Sequence, residues 1–371
     1  MRKILFFVES LGGGGAEKIL TDICRHIDKA RFDVTVLSVS AGGVYWDAIV
    51  RSGVCVRSVF GRVGGLLYRA RYHALVKLPP RLAHFLFVRG CFDTEIAFVE
   101  GLATRVISGA PRKRTRLAWV HTDPIAHPHA DARYRSKNSH RSAYQRFDGV
   151  FCVSEHVRGA FTQKFGSLPG LVVQYNPIDA QAIRARAAEA LPDMAYPGGD
   201  VLRVIATGRL APVKGFDCLL RVCAQLRAEN HTFSLLILGE GNERSALESL
   251  ICEHHLDACV RLCGFCENPY PALRGADLYV SASRAEGFST AAAEALVLGV
   301  PVCATDCAGM REVLGGEDCG VLCKPGEEAL LYALRSLLSD PGKREALREG
   351  AVRRGNQFSM DARMREIEAL L

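Results

Sequence analysis

Two successive α/β units, each a doubly wound parallel sheet, are predicted by three observations. Short continuous apolar runs alternate with helical patterns along nearly the whole sequence. The alternation breaks once, near 180–200, and then restarts. The length, 371 residues, is about twice what one hydrophobic core organises.

The first strand is the run 3–8, without the polar alternation of a half-exposed strand, as expected where helices cover both faces of a sheet. Leu11 to Ala16, with four consecutive glycines, then opens a helical pattern through Ile27. The next strand, 33–39, closes a β-α-β unit within about forty residues. Strands at 94–99, 116–120, 149–153 and 170–174 continue the first unit. Residues 180–200, rich in Ala, Arg and Pro and ending Pro197-Gly-Gly-Asp200, read as a helix and a boundary loop. Beyond it come strands 201–206, 233–238, 260–263, 278–281 and 300–304, with helices at 217–229, 243–254, 290–298 and 327–338. Domains of 1–180 and 181–358 follow, and doubly wound sheets bind ligands at the carboxyl ends of their strands and in the cleft between units.

A composition of 49% hydrophobic and 23% charged residues excludes a disordered chain. The net charge of +7 divides unevenly: residues 1–180 carry 26 basic and 14 acidic residues, the remainder 21 and 26. An anionic partner is therefore expected for the first half. Most of the fourteen cysteines sit singly in apolar surroundings, Cys24, Cys55, Cys152, Cys218 and Cys223 among them, as small buried hydrophobes. Only Cys263/Cys266 has zinc-ribbon spacing, and it lacks a second pair. The apolar run 4–8 ends at Glu9, too short for a secretory signal, and no stretch approaches the ~20 residues of a membrane span. A reducing, cytoplasmic location is expected.

Gly12 to Gly15, at a strand-to-helix junction, can bring backbone N–H groups close to an anion. A dinucleotide fingerprint would need glycine where Glu17 stands and an acidic residue where Ser40 stands, so nicotinamide cofactors are excluded. In the second half, Gly208-Arg209-Leu210 and Lys214-Gly215 place two cations at a strand end, which suits a diphosphate. Glu286 and Glu294 flank a Gly-Phe-Ser turn and a helix start. Glu286 should precede the helix and Glu294 lie on it, with N–H groups near Phe288, Ser289 and Thr290 forming a second anion site.

Together, Gly208-Arg-Leu…Lys214-Gly, Leu238-Gly-Glu-Gly241, Glu286-Gly-Phe-Ser…Glu294-Ala, Gly299-Val-Pro-Val302…Thr305-Asp306 and Glu312-Val-Leu314 resemble the retaining GT-B glycosyltransferases of family 4 (glycosyl transferases group 1). The Gly12-Ala16-Glu17 loop and Asn176-Pro-Ile-Asp179 resemble its first domain and interdomain entry. The resemblance implies two Rossmann-like domains facing across a cleft, with residues 359–371 crossing back onto the first. It implies that Arg209 and Lys214 neutralise a pyrophosphate, most strongly in the transition state. Glu294 would bind ribose hydroxyls, Glu286 sugar hydroxyls, and Phe265 the base, while Gly14 and Gly15 would offer N–H groups to the phosphate. His121 stands where relatives carry a histidine near the transferred sugar; His127 and His129 lie close enough to compete for that role. The family's front-face retaining route needs no carboxylate nucleophile, because the leaving phosphate helps deprotonate the acceptor. No Asp-x-Asp metal clamp is present, so metal-independent transfer without a cofactor is expected.

Between Asp47 and Asp93 there is no acidic residue, while Arg51, Arg57, Arg62, Arg69, Arg71, Lys77, Arg81 and Arg89 alternate with Leu66, Leu67, Tyr68, Tyr72, Leu75, Val76, Leu82, Phe85, Leu86 and Phe87. Such a surface suits anionic lipid, and Pro111 to Arg116 extends it. No nucleic-acid recognition motif accompanies the charge. The expected activity is transfer of a hexose or N-acetylhexosamine from a nucleotide diphosphate sugar, UDP-linked, to a glycan or lipid-linked glycan in cell-surface polysaccharide synthesis, by a protein peripheral to the inner face of the cell membrane. The rivals are a nucleotide-sugar epimerase or phosphorylase on the same fold, and a non-catalytic glycosyltransferase partner subunit.

Overall fold

The structure, a computed structural model, describes residues 1–190, 196–197 and 201–371; most of the boundary loop expected before Val201 lies outside them. Two compact units divide the chain: Met1–Pro177 with Asp361–Leu371, and Ile178–Met360.

The first unit holds a seven-stranded parallel sheet of β1 (Arg2–Val8), β2 (Phe32–Ser38), β3 (Cys55–Ser58), β4 (Thr94–Ala97), β5 (Thr115–Val120), β6 (Gly149–Cys152) and β7 (Leu171–Val173), in the order β3-β2-β1-β4-β5-β6-β7. The second holds six parallel strands, β8 (Leu202–Thr207), β9 (Phe233–Leu238), β10 (Val260–Gly264), β11 (Leu278–Ser281), β12 (Val302–Thr305) and β13 (Gly320–Cys323), ordered β10-β9-β8-β11-β12-β13. Strand order reverses between β1 and β4 and again between β8 and β11. At such switch points the connections leave toward opposite faces and open a crevice at the carboxyl ends.

Ile4 to Val8 have no solvent exposure, which explains their unbroken apolar run: helices cover both faces. The first helix, Gly15–His26, has Gly14 as its N-cap and turns Ile19, Leu20 and Ile23 into the core. Helix Phe216–Ala228 buries Phe216, Leu219, Leu220, Val222 and Leu226 against β8 and β9 in the second unit.

Three sequence expectations need correction. Neither β3 nor β13 was anticipated; both are four-residue edge strands, and β3 alternates exposed and half-buried positions. Cys55 consequently is exposed on that edge rather than buried. The strand expected from Val300 begins at Val302, because Pro301 has no N–H to give the ladder.

Helix Gly65–Lys77 buries only Leu75. The adjoining helix, Pro80–Phe87, is fixed by a buried triangle in which Glu95 on β4 meets His84 at 2.6 Å and also pairs with Arg114. Phe60 packs edge-on against Tyr68 of one helix and Phe87 of the other. The last helix, Met360–Leu370, contributes buried Met364 and Ile367, and Leu371 follows it into the first unit. There Glu368 accepts the Asp28 N–H at 2.8 Å and pairs with Arg31, and Thr94 donates its hydroxyl to the Leu371 carbonyl. Among the described residues no helix is long and apolar enough to cross a membrane.

Candidate active site

In the second unit the loops leaving β8, β9 and β11 interlock through backbone contacts. Gly215 has φ +64°, and a Cβ there would lie 2.1 Å from the Ala282 carbonyl oxygen; one on Gly239 would lie 1.9 Å from that of Gly208. Only glycine permits this approach. Arg284 bolts the loops further, its N–H donating to the Val213 carbonyl at 2.8 Å and its guanidinium to the Pro212 carbonyl and to Asp217. Burial pushes the Asp217 carboxyl up, but the hydrogen bonds from Arg284 and Arg221 prevail and hold it down at about 2.

This framework brings Lys214 to Glu286, with Nζ 2.5 Å from Oε1 and both side chains mostly sheltered. Ser283 donates to the same carboxylate at 2.8 Å, and Ser281 donates to Ser283 at 3.2 Å. Thr305 ties the Ser283 carbonyl to the end of β12. Glu286 precedes helix Thr290–Val297 and Glu294 lies buried on it, as the spacing predicted. Ser289 caps that helix, accepting the Ala292 N–H at 3.3 Å. The buried Tyr279 marks the convergence: burial raises its hydroxyl well above the ordinary range, Glu286 and Glu294 raise it further, and hydrogen bonds with Thr207 and Ser289 oppose them.

Other expected donor residues lie at the margins. Arg209 is exposed, and its side chain has no hydrogen-bond or ion-pair partner among the described residues. Phe288 is buried, whereas Phe265 is 49% exposed just after Gly264, the end of β10, which lies against the Glu240–Arg244 pair. Sequence reasoning assigned no role to Arg284, Ser283 or Cys307. Burial, and then the charge of Glu286, push the Cys307 thiol up to about 12, so it is not a nucleophile at neutral pH.

In the first unit the loops after β1, β4 and β5 converge. Glu9 accepts hydrogen bonds from the Tyr72 hydroxyl and, at 3.1 Å, from Arg133, whose guanidinium also lies over the Tyr72 ring. The His121 ring stacks on Trp119 and meets Phe98 at 4.9 Å. Burial lowers its pKa, so it is neutral at pH 7. Among the described residues its buried Nε2 has no hydrogen-bond partner. His127 and His129 face each other at 4.7 Å, and His129 is exposed. Glu9, Tyr72, Glu100 and Arg133 were not anticipated; the readable signal was that Glu9 and Glu100 each stand just past an apolar strand.

Chemically, the second unit offers cations, a helix N-terminus and two carboxylates together. Such a set can hold an anion and several hydroxyls at once. Two doubly wound parallel sheets in succession are the plan of the GT-B fold. Residues 13–182 match the model of glycosyltransferase family 4 and residues 198–354 that of glycosyl transferases group 1, so the chain belongs to the family 4/group 1 glycosyltransferases. A Campylobacter jejuni enzyme, N-acetylgalactosamine-N,N'-diacetylbacillosaminyl-diphospho-undecaprenol 4-alpha-N-acetylgalactosaminyltransferase, is 34% identical over 188 residues, 50% of this chain and 49% of that protein. The D-inositol 3-phosphate glycosyltransferase of Jonesia denitrificans is 32% identical over 187 residues, 47% and 43% of the two chains. The chain thus spans about half the length of these curated relatives. HepE of Anabaena, solved with UDP and glucose, superposes with a TM-score of 0.76 at 22% identity over 100% of this chain and 99% of its own, a likeness of fold.

Proposed function

We propose that the protein is a retaining transferase that moves a hexose or N-acetylhexosamine from a UDP-sugar to a glycan or lipid-linked glycan acceptor during cell-surface polysaccharide synthesis. The observation that carries this reading is the Lys214–Glu286 pair beside buried Glu294 and the Ser289-capped helix. Lys214 and Arg209 take up the charge gathering on the diphosphate leaving group, Glu294 binds ribose hydroxyls and Glu286 sugar hydroxyls. Phe265 lies against the base, and Phe288, Ser289 and Thr290 supply the helix-start contacts. Gly14 and Gly15 give N–H groups to phosphate, and His121 accepts from a substrate hydroxyl through Nε2. Leaving-group charge is met by these side chains, without a metal.

A lipid-linked acceptor is supported by the first unit's surface. Leu66 and Leu67 are 87% and 65% exposed and Phe85 77%, on two helices that also carry Arg69, Arg71, Lys77 and Arg81. Apolar groups set among cations suit an anionic bilayer, each cation near the surface contributing about 1 kcal/mol. The test is a panel of UDP- and GDP-sugars incubated with a native membrane fraction. Nucleotide release that depends on the membranes supports transfer; donor interconversion without them would establish an epimerase instead.

A further inference from the structure

Glu100 follows β4 at the switch point of the first sheet and is 8% exposed. Its Oε1 accepts the backbone N–H groups of His121 and Thr122, both at 2.7 Å, and the Thr122 hydroxyl at 3.0 Å. Strand β5 ends at Val120, so these two amides lie beyond the β5 strand and are held by a carboxylate from the neighbouring loop. The His121 ring is wedged against Phe98 and Trp119, and the Phe98 backbone favours a proton on the ring. Its Nε2 is buried and has no hydrogen-bond partner among the described residues, so with the ring proton on Nδ1 it keeps its lone pair.

We infer that Glu100 is the positioning residue of this site: its carboxylate holds the His121-Thr122 backbone so that the His121 imidazole presents Nε2 as a hydrogen-bond acceptor to a substrate hydroxyl. The inference rests on the role given to His121 above. Glu100 acts through position: all three of its bonds are accepted by one oxygen, which a glutamine carbonyl reproduces, and burial outweighs the pull of its charge on the imidazole. Displacing a contacting group by about 1 Å is enough to lower a rate about a hundredfold.

The experiment uses the full chain, the UDP-sugar selected by the panel, and the same membrane fraction, with UDP release as readout. Glu100→Ala and His121→Ala each lower kcat about a hundredfold, the affinity for UDP alone is unchanged, and the double variant turns over no more slowly than His121→Ala. Glu100→Gln stays within about threefold of the native rate, while Glu100→Asp, charged but one methylene shorter, stays low. The Gln and Asp pair carries the test if Glu100→Ala does not fold. Native turnover in Glu100→Ala, equal rates for Gln and Asp, or losses that multiply in the double variant would overturn the inference. Native turnover in His121→Ala alone would remove the histidine assignment and this inference with it.

Discussion

Seventy-two positions separate Lys214 from Glu286, so no local pattern announces that the ammonium of one meets the carboxylate of the other. The sequence reading placed them in different roles, one on phosphate and one on sugar. The structure couples them, so a variant at either residue disturbs both. A different residue contributes to the pH dependence of folding. His140 is buried, stacked on Tyr134 and hydrogen-bonded to Asp131, which Lys164 also pairs. Burial, only partly offset by Asp131, lowers its pKa from 6.5 to about 4. The unfolded chain therefore binds the proton first as pH falls, and stability drops from about pH 6.5 down to about 4, then levels for this group. Thermal midpoints measured across that window should decline less steeply in His140→Gln than in the native chain; parallel declines would reject the assignment.

At the scale of the element, legibility followed burial. Strands covered on both faces stood out as apolar runs, unbroken from Ile4 to Val8 in β1 and interrupted only by Ser234 in β9, whereas β3 and β13 did not. An edge strand four residues long, half solvated, leaves too little periodicity to read. Helix Gly65–Lys77 was legible only as a basic, apolar-studded stretch, because one buried residue imposes no amphipathic stripe. That exposure predicts vesicle flotation on phosphatidylglycerol-containing liposomes at low salt. Replacing Leu66, Leu67 and Phe85 by Gln should abolish flotation with the thermal midpoint unchanged; retained flotation would move the membrane contact elsewhere. The loop carrying Lys214 makes a second prediction. Gly215→Ala forces a Cβ onto the Ala282 carbonyl from a left-handed backbone and should cost about 2 kcal/mol or more, measured by urea unfolding. It should also weaken UDP binding, since Lys214 must move with the loop.

For the whole molecule, the two-sheet architecture was readable because the β-α alternation visibly restarts, and the candidate site around Lys214 and Glu286 could be proposed because several short motifs coincide in one half. The first unit's site was less readable: Glu9, Glu100 and Arg133 are single residues at strand ends and in a turn, brought together by topology rather than spacing. The terminal helix shows the same dependence on topology. Ending the chain at Met360 removes buried Met364, Ile367 and Leu371 from the first unit, each contributing roughly 1.5–3 kcal/mol. Limited proteolysis should then cleave within 1–177 long before 201–360, and equal rates would contradict this placement.

The central claim, sugar transfer from a nucleotide donor at the Lys214–Glu286 site, is tested most directly by mass spectrometry of the acceptor. The panel-selected UDP-sugar is incubated with the membrane fraction and native, Lys214→Ala or Glu286→Ala protein. The native chain should add one sugar to a lipid-linked product and release UDP in step. Either variant should lose about 3 kcal/mol of transition-state stabilisation, over a hundredfold in rate, while staying folded by circular dichroism. Folded variants that transfer at the native rate, or a native chain that alters the donor without glycosylating anything, would contradict it.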